Sequence, residues 1–164
     1  RSFHVTGVQT CALPISVWAT VAGNPEHFRR AGASGAHLLT HLLDQDVEVL
    51  AERIRIYRDA RAAAGLDPAT AEVTVMLHTF VGADADTVRA QARGPYCEYI
   101  KANIGLFSGL ARSRGHEVDL RTLSASDLDV FTQFLYDRFA ATRGLIGTPE
   151  SCAPLVEQIG RAHV

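Results

Sequence analysis

Three short runs of the chain concentrate apolar and β-branched residues, and each gives way to residues with helical spacing. VWATVAG (Val17–Gly23) reads as a strand. Asn24-Pro25-Glu26 then has the chemistry of a helix start: Asn24 to cap, Pro25 for the first turn, Glu26 for the positive end of the dipole. His27 to Ala33 forms a short helix closed by Ser34-Gly35. AHLLTHLL (Ala36–Leu43) is too short for a globular helix and reads as a buried strand. From Asp44–Asp46 a helix runs with Val47, Leu50, Ala51, Ile54 and Tyr57 on one stripe, and Gly65 and Pro68 end it. EVTVMLHTFVG (Glu72–Gly82) is the clearest strand. Asp84 or Asp86 caps the next helix, which runs through Val88 toward Tyr99. A glycine-broken stretch from Gly105 to Gly115 follows, then a helix from about Ser126 to Thr142. Gly147-Thr148-Pro149-Glu150 starts another, with Thr148 as its cap.

Strand alternating with helix is the pattern of α/β proteins with a parallel sheet, and the apolar strands suit burial on both faces. A (β/α)8 barrel and an open doubly wound sheet both fit, although the glycine-rich GxGxxG turn that favours the open sheet is absent. In a barrel, ligands gather in the loops after the strands. Those loops here are Ala22-Gly23-Asn24, Leu43-Asp44-Gln45 and Phe80-Val81-Gly82. Period-2 alternation sorts the side chains. Val73, Val75, Leu77, Thr79 and Val81 should meet the helices, leaving Thr74, Met76, His78 and Phe80 for the lumen. Trp18, Thr20, Ala22 and Asn24 share one face of the first strand. In the second, His37, Leu39, His41 and Leu43 oppose Leu38, Thr40 and Leu42, and alternation does not choose between them.

The two ends of the chain change how its composition is counted. Gln9 to Ile15 can be encoded by CAGACGTGTGCTCTTCCGATC, whose reverse complement, in another frame, encodes Ile-Gly-Arg-Ala-His-Val, the residues Ile159 to Val164. Inverted copies of one DNA string at both ends resemble translated short-read sequencing adapter. Residues 1–16 and 159–164 are therefore set apart as adapter-like, and 17–158 is expected to be the protein's own sequence. Without Arg1 and Arg161 the 16 basic residues fall to 14 against 18 acidic ones, so the net charge is −4 rather than −2. That balance offers no basic patch for nucleic acid. Cys97 and Cys152 remain, far apart, with no zinc or disulfide pattern. No apolar run approaches the ~20 residues of a membrane span, and a cytoplasmic protein is expected.

The runs VWATVAGNPEHFRRAGASGAHLLTHLLDQDVEVLAERIRIYRDARAAAG, VTVMLHTFVGADADTVR and GTPESC resemble the later part of a luciferase-like monooxygenase. They are most similar to the flavin-dependent subgroup associated with natural-product biosynthesis. The resemblance covers nearly all of Val17 to Gln158, and TVAGNPEHFRRAG with LLTHLL is its most specific part. It implies a partial (β/α)8 barrel: the later βα units only, with the final strand missing. It also implies an oxidoreductase that binds reduced FMN at the barrel mouth and uses O2 to oxygenate a small organic substrate. A flavin reductase would supply the reduced FMN, and the parent enzyme would be a homo-oligomer. Such a fragment is expected to be inactive alone. A deazaflavin (F420)-dependent oxidoreductase of the same superfamily is the nearest alternative, and a non-catalytic α/β binding module the alternative of another class.

On this resemblance, Trp18, Thr20, Ala22, Gly23 and Asn24 are the candidate cofactor-binding residues, and His41, His78 and Phe80 the candidate substrate or flavin pocket. No residue is assigned as catalytic acid or base. Each candidate also has a plainer role open to it. Trp18 suits packing, Thr20, Gly23 and Asn24 suit a strand end and helix cap, and His78 suits a hydrogen-bonded barrel histidine. His37 and His41 lie two pleats apart without a third ligand, so no metal is expected. Arg53, Arg55, Arg58 and Arg61, interleaved with Glu48, Glu52 and Asp59, read as a solvated helix face.

Overall fold

The computed structural model describes residues 15–105, 107–108 and 120–162. Most of residues 1–16, and the glycine-broken stretch beyond Gly105 apart from 107–108, lie outside the described residues. The order of elements is β1 (Trp18–Thr20), α1 (Pro25–Ala33), β2 (His37–His41), α2 (Val47–Ala63), β3 (Val73–Met76), β4 (Thr79–Val81), α3 (Ala85–Ala102), α4 (Ala125–Thr142), β5 (Leu145–Gly147) and α5 (Pro149–Ala162). Short 3-10 turns precede β3 at Pro68–Thr70 and α4 at Leu120–Thr122. All pairings are parallel: β1-β2-β3 form a three-stranded sheet and β4-β5 a two-stranded one. The architecture is α/β, built as part of a (β/α)8 barrel.

Helix starts follow the side chains that satisfy free backbone N–H groups. Asn24 Oδ1 accepts from the Glu26 amide at 2.9 Å, Asp46 from Val49 at 3.0 Å, and Asp84 from Thr87 at 2.8 Å. At α5 the Thr148 and Ser151 side chains accept from each other's amides. Ile159 packs against the Leu42, Leu50 and Ile54 cluster from the last turns of α5.

Under the three-stranded sheet, α1 and α2 pack Phe28, Ala31 and Tyr57 against Val21 and Leu38. The helices meet so closely at Gly32 that a Cβ there would lie 2.2 Å from the Tyr57 carbonyl oxygen. The arginines of α2 depart from the solvated face expected of them. Arg55 is exposed, but Arg61 is buried and Arg53 and Arg58 are partly so. Arg53, Tyr57 and Arg61 are four apart and share the inward stripe. Arg61 lies over the Tyr57 ring and donates to the Ala36 carbonyl, while Arg53 lies over Phe28. Long aliphatic stems let a charged residue line a core and keep its head hydrogen-bonded.

Glu72–Gly82, expected as one strand, is two. Its first half pairs with β2 and its second with β5, in different sheets, so the backbone turns at Leu77-His78. The turn is tied down: His78 C=O accepts from the Leu145 amide at 2.9 Å and Leu77 C=O from the Thr79 hydroxyl at 3.2 Å. Alternation does not carry through such a turn, and this decides where Phe80 points.

Candidate functional site

Parallel register lines up the outward side chains of the three-stranded sheet in rows. Trp18 sits beside His37, Thr20 beside Leu39 and Leu39 beside Thr74, and His41 beside Met76. The intervening residues, Ala19, Leu38, Val73 and Val75, pack toward the helices. This settles the face left open in β2: His37, Leu39 and His41 look into the lumen with Trp18 and Thr20. The resulting wall is open and carries no formal charge apart from its histidines. Trp18 occupies the row farthest from the mouth, its ring 4.9 Å from that of His37. His37 is itself tied to the next strand, its Nδ1 accepting from the Glu72 amide at 3.1 Å.

At the mouth, the loop after β1 sits directly on the loop after β2. Gly23 has φ +64°, a conformation glycine adopts without strain. A Cβ there would also lie 2.6 Å from Asp44 Oδ2. Asn24, expected to face the cofactor, spends its side-chain oxygen on capping α1. Asp44 is buried, 3.6 Å from His41 Nδ1 and 3.9 Å from the Arg53 guanidinium. Gln45 holds the same loop, donating to the Thr40 hydroxyl and the His41 carbonyl and accepting from Arg53 at 2.6 Å. The Leu43 amide donates to His41 Nδ1 at 3.2 Å. In that arrangement the proton of neutral His41 is on Nε2, making that nitrogen a donor.

His41 and His78 meet in one 220 Å³ cleft at the C-terminal ends of β2 and β3, with Met76, Leu77, Tyr99 and Arg143. Burial, and then the neighbouring His41, hold the His78 pKa below the ordinary imidazole value, so it is neutral at pH 7. Its ring meets Tyr96 and Tyr99 edge-on, each at 5.0 Å. Arg143 closes the far side and donates to the Leu43 carbonyl at 3.3 Å.

Phe80 is not in this cleft. Its register partner is Ile146, which is buried against α3 and α4. Phe80 accordingly lines a separate hollow against α3, with Ala92, Pro95, Tyr96 and Tyr99. The expectation that it faces the lumen is corrected: the turn at Leu77-His78 reverses the alternation after it. His78, at the turn, borders both spaces.

Sequence reasoning brought Thr20, Gly23, His41 and His78 to the mouth and picked out the Leu43-Asp44-Gln45 loop. It missed Arg53, Tyr96, Tyr99 and Arg143. The i,i+3 spacing of Tyr96 and Tyr99 places them on one helix face, a signal that was available. Nothing local announces Arg143, a hundred residues from the carbonyl it binds. The arrangement presents a flat face of small and apolar side chains that ends in two imidazoles, one of them an N–H donor. Such a surface suits one side of a planar ring with polar edges.

The family model described as luciferase-like monooxygenase matches residues 2–163. No curated protein sequence matches the chain. Among solved structures, the monooxygenase RslO1 from Streptomyces bottropensis is similar at TM-score 0.56 and 19% identity, over 90% of this chain and 38% of that one. The oxygenating constituent of 3,6-diketocamphane monooxygenase from Pseudomonas putida, a type II Baeyer–Villiger monooxygenase in complex with FMN, is similar at TM-score 0.56 and 17% identity, covering 90% and 38%. The coenzyme F420-dependent tetrahydromethanopterin reductase from Methanopyrus kandleri is similar at TM-score 0.65 and 13% identity, covering 92% and 43%. The chain thus spans about two-fifths of the length of these structures.

Proposed function

The chain belongs to the luciferase-like monooxygenase family, and from that premise we propose that it forms the flavin-facing later portion of an FMN-dependent oxygenase. The observation that carries this reading is the uncharged wall of Thr20, Leu39 and Thr74, which runs up to the His41–His78 cleft. Bound there, reduced FMN supplies the electrons for O2 to oxygenate a small organic substrate. Thr20, Leu39 and Thr74 offer a surface against which a flat ring can lie. Gly23 keeps the mouth loop low. His41 presents its Nε2–H at the rim, and neutral His78 adds a second polar edge without a charge. Trp18 extends the wall away from the mouth. A flavin reductase as electron source and a homo-oligomeric, cytoplasmic parent enzyme belong to the same reading.

A deazaflavin cofactor is the second reading, since an F420-dependent reductase shares this fold as well. The two are separated by titrating the chain together with the preceding barrel units of a relative, supplied as a second polypeptide. FMN fluorescence quenching with micromolar affinity, lost in Thr20→Trp, supports the first reading. Equally tight binding of F420 but not FMN supports the second, and neither binding overturns both. Alone, the chain is expected to associate and to bind FMN no more tightly than about 1 mM, since an incomplete barrel leaves sheet edges and a lumen face uncovered. A monomer with micromolar FMN affinity contradicts that.

We further propose that residues 1–16 and 159–164 derive from sequencing adapter. Amplifying across both junctions from source DNA gives different flanking codons if so, and the same codons if not.

A further inference from the structure

The cleft at the C-terminal ends of β2 and β3 differs from the open wall in size and in charge. Its 220 Å³ exceeds the roughly 150 Å³ that holds a benzene ring. It falls short of the ~300 Å³ at which sites for larger ligands begin. One substituted ring fits it, and a three-ring cofactor does not. Leu42, Leu43, Met76 and Leu77 give it an apolar lining, which His41, His78 and Arg143 interrupt with nitrogen. His41 turns its Nδ1 edge to the Leu43 amide at 3.2 Å and to Asp44 at 3.6 Å. The 18% of its side chain that stays exposed therefore lies toward Nε2, which carries the proton. Arg143 adds a full positive charge, held close by its bond to the Leu43 carbonyl at 3.3 Å. Asp44 lies behind His41, its side chain 2% exposed, with its charge offset by Arg53 at 3.9 Å. Among the described residues that line the cleft there is no carboxylate.

We infer that this cleft binds the carboxylate of a small, single-ring organic acid, one oxygen on the His41 Nε2–H and the ring against Leu42, Met76 and Leu77. That such an acid is the substrate rests on the flavin-facing reading of the wall, whereas its binding does not. A hydrogen bond to a carboxylate is roughly twice as strong as one to a neutral carbonyl. A charge in a partly buried cleft is also screened less than one at the surface. Neutral His78 adds a ring N–H without a charge of its own. A phosphate would bring more negative charge than one guanidinium offsets into a lining that is mostly apolar, so a carboxylate is the better match.

The probes are 4-fluorobenzoate and 4-fluorobenzamide, alike in shape and differing in charge. Broadening of their fluorine NMR lines reads weak binding whatever the association state of the chain. At low salt the acid is expected to bind about tenfold more tightly than the amide, and added salt should shrink that preference. Arg143→Met should abolish the preference and Arg143→Lys should keep most of it, which separates lost charge from lost packing. His41→Leu should weaken the acid about fivefold, the worth of one hydrogen bond. Arg29→Met makes the same change of charge on the exposed side of α1 and should alter nothing. The inference is overturned if the two probes bind alike, if neither binds, or if Arg143→Met leaves the preference intact. Loss of the preference in Arg29→Met would place the acid in the hollow between α1 and α2 and overturn it too. Displacement of the acid by an equal concentration of inorganic phosphate would make the cleft a phosphate site, with the same result. No FMN is present, so failure here is distinct from failure of the FMN titration.

Discussion

The three-stranded wall and the two-stranded ribbon are backed by helices in different ways. Beneath the wall, α1 and α2 close to the limit set by Gly32, and Phe28 and Tyr57 have no exposed surface. Beside the ribbon, α3 stands off far enough to leave a 390 Å³ hollow, and Phe80 remains 45% exposed. Two phenyl rings that look equivalent in the sequence are therefore under different constraints. Close packing makes the wall a rigid platform, whereas the looser ribbon has room for something else.

Truncation should separate the two most strongly. Phe28→Ala is expected to cost about 3–5 kcal/mol, as full burial implies, while Phe80→Ala should cost under about 1 kcal/mol because its ring already meets solvent. Urea unfolding followed by circular dichroism measures both, and equal costs would break the contrast. Gly32→Ala comes next, at about 1–3 kcal/mol, because the obstacle is a backbone carbonyl that cannot swing aside. An unchanged midpoint would mean that the helices separate freely. The tyrosines give a finer test: Tyr136→Phe should lose about 1 kcal/mol with its bond to the Arg89 carbonyl, whereas Tyr96→Phe should lose nothing, its hydroxyl having no partner among the described residues.

The smallest expected effect is a pH dependence at the turn between the sheets. The folded state holds the His78 pKa below its ordinary 6.5, so below that pH the unfolded chain takes up the proton more readily. The stability that neutral His78 allows is complete above pH 6.5 and declines as pH falls from there toward the folded pKa. Unfolding free energies of the unaltered chain and of His78→Gln should therefore converge or cross on acidification through that window. Parallel curves would show that His78 titrates alike in both states.

How much of this was legible in the sequence follows the same division. β1 and β2 alternate cleanly because each keeps the same sheet neighbours along its length, and Asn24, Asp84 and Thr148 mark helix starts by chemistry that is local. The lumen face of β2 was open to either reading until register with Trp18 and Thr20 fixed it. Phe80 was misassigned because a change of partner strand leaves no mark in a run as continuously strand-like as VTVMLHTFVG. Arg53 and Arg61 looked solvent-facing because charge was weighed above spacing. Their four-residue interval with Tyr57 pointed inward.

The contact between Gly23 and Asp44 makes the two mouth loops a single unit of variation. A methyl group at position 23 would force the Asp44 carboxylate to shift, so Gly23→Ala and Asp44→Ser should be non-additive, the second relieving part of the cost of the first. Positive φ sets a remainder that no change at 44 recovers. Anyone transplanting this mouth onto another barrel would have to move the glycine and the aspartate together, although twenty residues separate them in the chain.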